Sequence, residues 1–89
     1  DLIVYFIDHG RYRIVSNGAT REKDLAHMEA VAESFDGVSL RERDDLAMIA
    51  VQGPNAADKL IAGMGGDASL DRVRELKPFH AHTVGEMMF

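Results

Sequence analysis

Cysteine is absent from the 89 residues, which excludes disulfides and thiolate metal sites and fits a reducing compartment. Clustered cations are absent as well. Ten Lys and Arg stand against fifteen Asp and Glu, a formal net charge of −5, and the basic residues are scattered along the chain. Phosphate recognition needs Lys and Arg gathered together, so this distribution argues against nucleic acid as a partner. No apolar run is long. Leu2–Ile7, near the start, is far short of the roughly 20 residues that span a membrane, and no signal peptide is visible. A glycine-rich phosphate loop is missing too: Gly63-Met64-Gly65-Gly66 lacks the G-x-G-x-x-G spacing and follows a helical pattern instead of a strand. No serine sits in a nucleophile elbow.

What is present is patterned for folding. Apolar residues make up 46%, too many for a disordered chain. Leu2–Ile7 is β-branched and aromatic and reads as a buried strand. Asp8-His9-Gly10-Arg11 reads as a turn, with Gly10 free to take positive φ and Asp8 able to bond the backbone ahead. Tyr12–Ser16 then returns as a second strand, completing a β-hairpin. Thr20 is placed to cap a helix running to about Ser34, with Glu22 in its first turn suiting the dipole. Leu25, Met28, Val31, Ala32 and Phe35 form one apolar stripe, and Asp36-Gly37 ends it.

Val38 and Leu40 alternate with Ser39 and Arg41, the pattern of a strand with one wet face. Arg43-Asp44-Asp45 is a polar turn. Leu46–Val51 is continuously apolar and is expected as a central strand covered on both faces. Pro54 suits the first position of a helix that buries Ala56, Ala57, Leu60, Ile61 and Met64 and finishes at Gly63, Gly65 and Gly66. Ser69 is expected to cap a short helix through Leu76, with Leu70, Val73 and Leu76 on one side, before Pro78. Phe79–Phe89 is mixed and expected extended. The expected fold class is α+β, mostly antiparallel sheet with helices on one face, in the order β-β-α-β-β-α-α-β.

Few residues suggest chemistry. Asp1 stands alone before a strand, where an aspartate is ordinarily solvated. Asn17 reads as turn chemistry, because Asn tolerates the left-handed region. The lesser reading is functional: its carboxamide, with two donors and an acceptor, can grip a heterocycle edge. His80 and His82 alternate, so a strand would put both on one face. A metal site would need a third ligand, with Glu86 the nearest candidate, and surface or lining histidines fit better. Asp44 and Asp45 are adjacent and so point opposite ways on an extended chain.

Four segments together resemble a known family: Asp1-Leu2-Ile3-Val4-Tyr5, Val15–Asp24, Ala50-Val51-Gln52-Gly53-Pro54 and Leu76-Lys77-Pro78-Phe79. Their order and spacing are similar to those of the aminomethyltransferase, or T-protein, of the glycine cleavage system, bacterial members above all. The resemblance implies that the chain is an internal fragment of the family's folate-binding region, in an enzyme about four times this length with three domains. The chain opens without Met on a strand-like run and closes on Glu86-Met87-Met88-Phe89, which also suggests a fragment.

The resemblance further implies specific roles. Asp1 matches the family's catalytic aspartate, the second of a paired motif. Asn17 matches a folate contact, and Val15 a residue that approaches the pterin mainly through its backbone. Other family contacts to folate, a glutamate, a tyrosine and an arginine, lie beyond Phe89. The implied substrate is tetrahydrofolate, with no metal, and the implied partner is the lipoylated H-protein, whose aminomethyl group is transferred with release of ammonia to form methylenetetrahydrofolate. A cytoplasmic setting and no membrane partner follow from the same likeness. Two other readings stay open: a folate-binding domain of a dimethylglycine- or sarcosine-oxidising enzyme, and a non-catalytic interaction module. An isolated piece with bare strand edges is expected to lack useful activity and to self-associate. The hairpin adds a physical expectation: it brings Asp1 and Asn17, sixteen positions apart, side by side.

Overall fold

The computed structural model describes residues 1–89. The elements are β1 (Leu2–Asp8), β2 (Arg11–Ser16), a 3-10 turn (Gly18–Thr20), α1 (Arg21–Ala32), α2 (Ala56–Gly63), a second 3-10 turn (Ala68–Leu70), α3 (Asp71–Arg74), β3 (Thr83–Val84) and β4 (Met87–Met88). β1 pairs with β2 and β3 with β4, giving two small antiparallel sheets in an α+β architecture. No helix is long and apolar enough to cross a membrane. Two units gather the chain: Asp1–Ile3 with Ile14–Met48, and Val4–Arg13 with Ile49–Phe89. The first hairpin contributes its base to one and its tip to the other.

In the first unit, the β-prone residues of β1 and β2 meet at the hairpin base as their pattern predicts. α1 follows after the 3-10 turn. Thr20 occupies the cap position but caps nothing with its side chain. Its hydroxyl donates instead to Asp24 Oδ2 at 2.7 Å, since a charged acceptor makes the stronger bond. Glu22 and Asp24 lie in the first turn, on the favourable side of the dipole. The helix stops at Ala32, short of Ser34. Its last turn tightens through Ser34 N to Val31 O and Phe35 N to Ala32 O, and Gly37 turns the chain away at φ +76°, a conformation glycine adopts without strain. The predicted stripe is only partly covered: Leu25, Met28 and Ala32 are half-buried, while Val31 and Phe35 are exposed. Met28, Val31, Ala32 and Phe35, with Ile14, His27, Val38 and Leu40, line an open apolar groove.

Two expected strands are missing. Residues 38–41 are irregular, and so are residues 46–51, which are exposed throughout instead of central and covered. A strand needs a neighbour for its N–H and C=O groups, and no segment of the chain pairs with either run. β propensity reflects fit to a pleated, half-buried surface, so without that surface it does not fix a strand.

The second unit holds the only fully buried residues, Ile61 at 4% and Leu70 at 2% exposure. α2 starts at Ala56 after a turn that contains Pro54, two residues later than expected. It places Ala56, Ala57, Leu60, Ile61 and Met64 inward, fully or half-buried, as the spacing predicts. Gly65 N bonds Ala62 O at 3.2 Å and Gly66 N bonds Ile61 O at 2.9 Å. With Gly65 at φ +91°, this is a Schellman ending. Asp67, and not Ser69, caps the next turn: its Oδ1 accepts from Ser69 N at 2.7 Å and Ser69 Oγ at 2.6 Å. Those bonds hold the Asp67 carboxyl below its ordinary pKa. α3 ends at Arg74, before Leu76, yet Leu70, Val73 and Leu76 still share the covered side. Burying one such side chain contributes about 1.5–3 kcal/mol, so two full burials make a thin core.

The segment after Pro78 is more ordered than a plain extended tail. β3 and β4 form a tight hairpin, Thr83 opposite Met88 and Val84 opposite Met87, turned at Gly85 with φ +60°. Phe6 N donates to Phe79 O at 2.8 Å and Ala81 N to Phe6 O at 2.9 Å, a short parallel bridge onto the first hairpin's tip.

Candidate functional site

Asp1, Val15 and Asn17 all fall within the first unit. β1 and β2 run antiparallel, so the residue before one strand and the residue after the other become neighbours. Asn17 Nδ2 donates to the main-chain carbonyl of Asp1 at 3.0 Å. Asn17 itself is extended, with φ −78° and ψ 139°, and its side chain caps no local amide. The turn-chemistry reading of Asn17 is therefore not what the structure shows: the carboxamide reaches across the hairpin base. One N–H is committed to Asp1, which leaves the other N–H and Oδ1 free to face solvent. The Asp1 carboxylate has no hydrogen-bonding or ionic partner in the chain. Both residues are exposed, whereas Val15 is half-buried within β2.

Directly after Asn17, residues Gly18–Lys23 line an open depression of about 430 Å³. The turn is held by Thr20 N donating to Asn17 O at 3.1 Å. Two cations border it. Arg21 is engaged, its Nε donating to Glu42 Oε1 at 2.6 Å. Lys23 has no ion-pair partner. The Arg21–Glu42 pair spans 21 positions, and nothing in the local sequence signals it.

The remaining candidates disperse. His80 Nδ1 lies 3.1 Å from Pro78 O, and its ring meets Phe6 edge to face at 5.5 Å. The main chain of His82 pairs with Phe89 through two bonds of 2.9 Å. No three His, Asp or Glu side chains converge on a common point. Asp44 and Asp45 lie in a turn. Arg43 grips Asp45 in a bidentate pair, Nε to Oδ1 and Nη2 to Oδ2, both at 2.7 Å. These bonds pull the Asp45 carboxyl from 3.8 to about 2 and raise the Arg43 guanidinium in turn. The pair is structural and does not converge on Asp1.

Asp1 and Asn17 are thus joined at the hairpin base by a bond from the carboxamide to the Asp1 main-chain carbonyl. They offer acceptors on Asp1 and both a donor and an acceptor on Asn17. Such a set suits the edge of a nitrogen heterocycle that carries N–H and C=O groups in alternation. The sequence family described as "GCVT N-terminal domain" matches residues 1–87. No solved structure matches the chain.

Proposed function

We propose, because this chain belongs to the GCVT N-terminal domain family, that it is the pterin-contacting part of an aminomethyltransferase acting with tetrahydrofolate in glycine cleavage. The family is one of aminomethyltransferases, so the parent is a transferase. The finer reading rests on one observation: Asn17 and Asp1 are joined across 3.0 Å at the hairpin base, where the resemblance puts a folate contact and a catalytic carboxylate.

The residues present fit the ligand by their chemistry. When bound, tetrahydrofolate supplies the nitrogen that takes up the one-carbon unit. The Asp1 carboxylate, free of any partner in the chain, is available to stabilise developing positive charge and to hold a proton at one of its oxygens. Asn17 orients the ligand edge with its remaining N–H and with Oδ1. Its third hydrogen-bonding group ties it to the Asp1 backbone, so the two residues are positioned as one unit. Val15 serves through its main chain, as the resemblance implies.

The same reading makes the chain an internal piece of a larger, cytoplasmic enzyme of bacterial type, with the lipoylated H-protein as its partner. The uncovered apolar groove beside α1 and the bare run at residues 46–51 support a larger parent, because extensive exposed apolar surface marks an interface. The direct test is Asp1→Ala in the full-length parent. Turnover should be abolished while circular dichroism and thermal unfolding stay as in the wild type. Unchanged turnover would remove Asp1 from the mechanism.

A further inference from the structure

We infer that Thr20 is a positioning residue for the carboxamide of Asn17, and that Asp24 holds Thr20 in place; the inference rests on the pterin reading of Asp1 and Asn17. Asn17 reaches across the hairpin base, where its Nδ2 donates to the Asp1 carbonyl at 3.0 Å. That bond is the side chain's whole anchorage, since it caps no local amide. The direction of the carboxamide therefore follows from the main chain of Asn17. On its far side that main chain is fixed by the turn that follows.

The turn has no apolar burial to shape it. Gly18, Ala19 and Thr20 are all exposed, and glycine has the most backbone freedom to lose. Hydrogen bonds hold the turn instead. Thr20 N donates to Asn17 O at 3.1 Å, and Arg21 N donates to Gly18 O. Thr20 Oγ1 stands 3.5 Å from Asn17 O and 2.7 Å from Asp24 Oδ2. A hydroxyl has one proton to give, and the shorter, charge-assisted contact takes it.

Asp24 is half-buried and sits in the first turn of the 12-residue helix α1, so it is carried on regular backbone. The groups form a relay. Helix α1 carries Asp24, Asp24 holds the Thr20 hydroxyl, Thr20 N holds the Asn17 carbonyl, and Asn17 aims its remaining N–H and Oδ1. All of these residues, with Asp1, lie in the first unit. Loosening the relay leaves Asn17 chemically intact but spreads its orientations. Groups that must be ordered on binding hold a ligand less tightly than groups already in place.

A double-mutant cycle on tetrahydrofolate affinity, measured by calorimetry in the full-length parent, tests this. Thr20→Val keeps the β-branched shape and removes the hydroxyl. It should weaken binding about fivefold, with circular dichroism unchanged because Thr20 is exposed. Asp24→Ala removes the same bond from its other end and should weaken binding equally. Thr20→Ser keeps the donor and should bind as the wild type does. In an Asn17→Ala background, Thr20→Val should weaken binding no further, because its effect passes through Asn17. Wild-type affinity in Thr20→Val, with Asn17→Ala still weak, would overturn the inference and leave the pterin reading standing. Equal weakening by Thr20→Val in both backgrounds would overturn it as well, since Thr20 would then act independently of Asn17. Wild-type affinity in Asn17→Ala would overturn the inference together with the assignment of Asn17 to the ligand.

Discussion

The side-chain amide of Asn17 donates to the main-chain carbonyl of Asp1 across 3.0 Å, and this bond ties the two ends of the first hairpin together. Removing it should be felt twice. Asn17→Ala loses an exposed hydrogen bond and should lower the unfolding free energy of the chain by about 0.5–1 kcal/mol. Asn17→Asp should cost more, since it sets a carboxylate against a carbonyl oxygen. In the parent enzyme both should weaken folate affinity by calorimetry. Wild-type affinity in both variants would detach Asn17 from the ligand.

The chain by itself should bind tetrahydrofolate poorly. Its two polar groups are exposed, and an unenclosed site buries little of a ligand. Titration calorimetry should detect no tight binding to the 89-residue chain. Submicromolar affinity would contradict this.

Arg43 and Asp45 give a pH dependence with a defined sign. The Asp45 carboxyl is depressed in the folded chain, from 3.8 to about 2. Its contribution is therefore fully present above pH 3.8 and is lost as pH falls toward 2. Carbon-detected NMR titration should put its midpoint near 2. In Arg43→Gln the midpoint should return to the ordinary aspartate range, and no change on that substitution would refute the assignment of the shift to Arg43.

Phe79 is the one non-glycine residue at positive φ, +62°. It occupies the third position of a turn closed by His80 N to Lys77 O at 3.1 Å, with Pro78 at the second. That is a type II arrangement, which favours glycine where Phe79 stands. The residue is 63% exposed, so truncation loses little packing. Phe79→Gly relieves about 1 kcal/mol of strain and adds about 0.5 kcal/mol of unfolded-chain entropy. The thermal midpoint should rise by about 2–4 °C. Phe79→Ala keeps the strained conformation and should give no rise.

The hairpin, the stripe of α2 and the Asp1–Asn17 neighbourhood were legible because each depends on local periodicity and one short turn. Leu46–Val51 was not, since the partner of a strand is a long-range fact that its own residues do not carry. Caps failed for a different reason. Thr20 and Ser69 are both capable of capping, but each stands near a carboxylate, Asp24 or Asp67, that competes for its hydroxyl and wins. The Arg21–Glu42 pair joins a helix start to an irregular segment, and Phe79 adopts a conformation its residue type disfavours. Neither leaves a trace in sequence pattern. At the site, the hairpin made the adjacency of Asp1 and Asn17 readable, while the carbonyl acceptor that joins them emerged only with the structure.

Exposure of Met48 has a chemical consequence. The chain contains five methionines and no cysteine, so thioethers are its only sulfur exposed to oxidants, and Met48 is the most accessible of them. Mild peroxide converts such a side chain to a polar sulfoxide, which methionine sulfoxide reductases can reverse. One added oxygen there interrupts the apolar run near its middle. The polarity of that exposed run thus depends on the oxidative history of the sample.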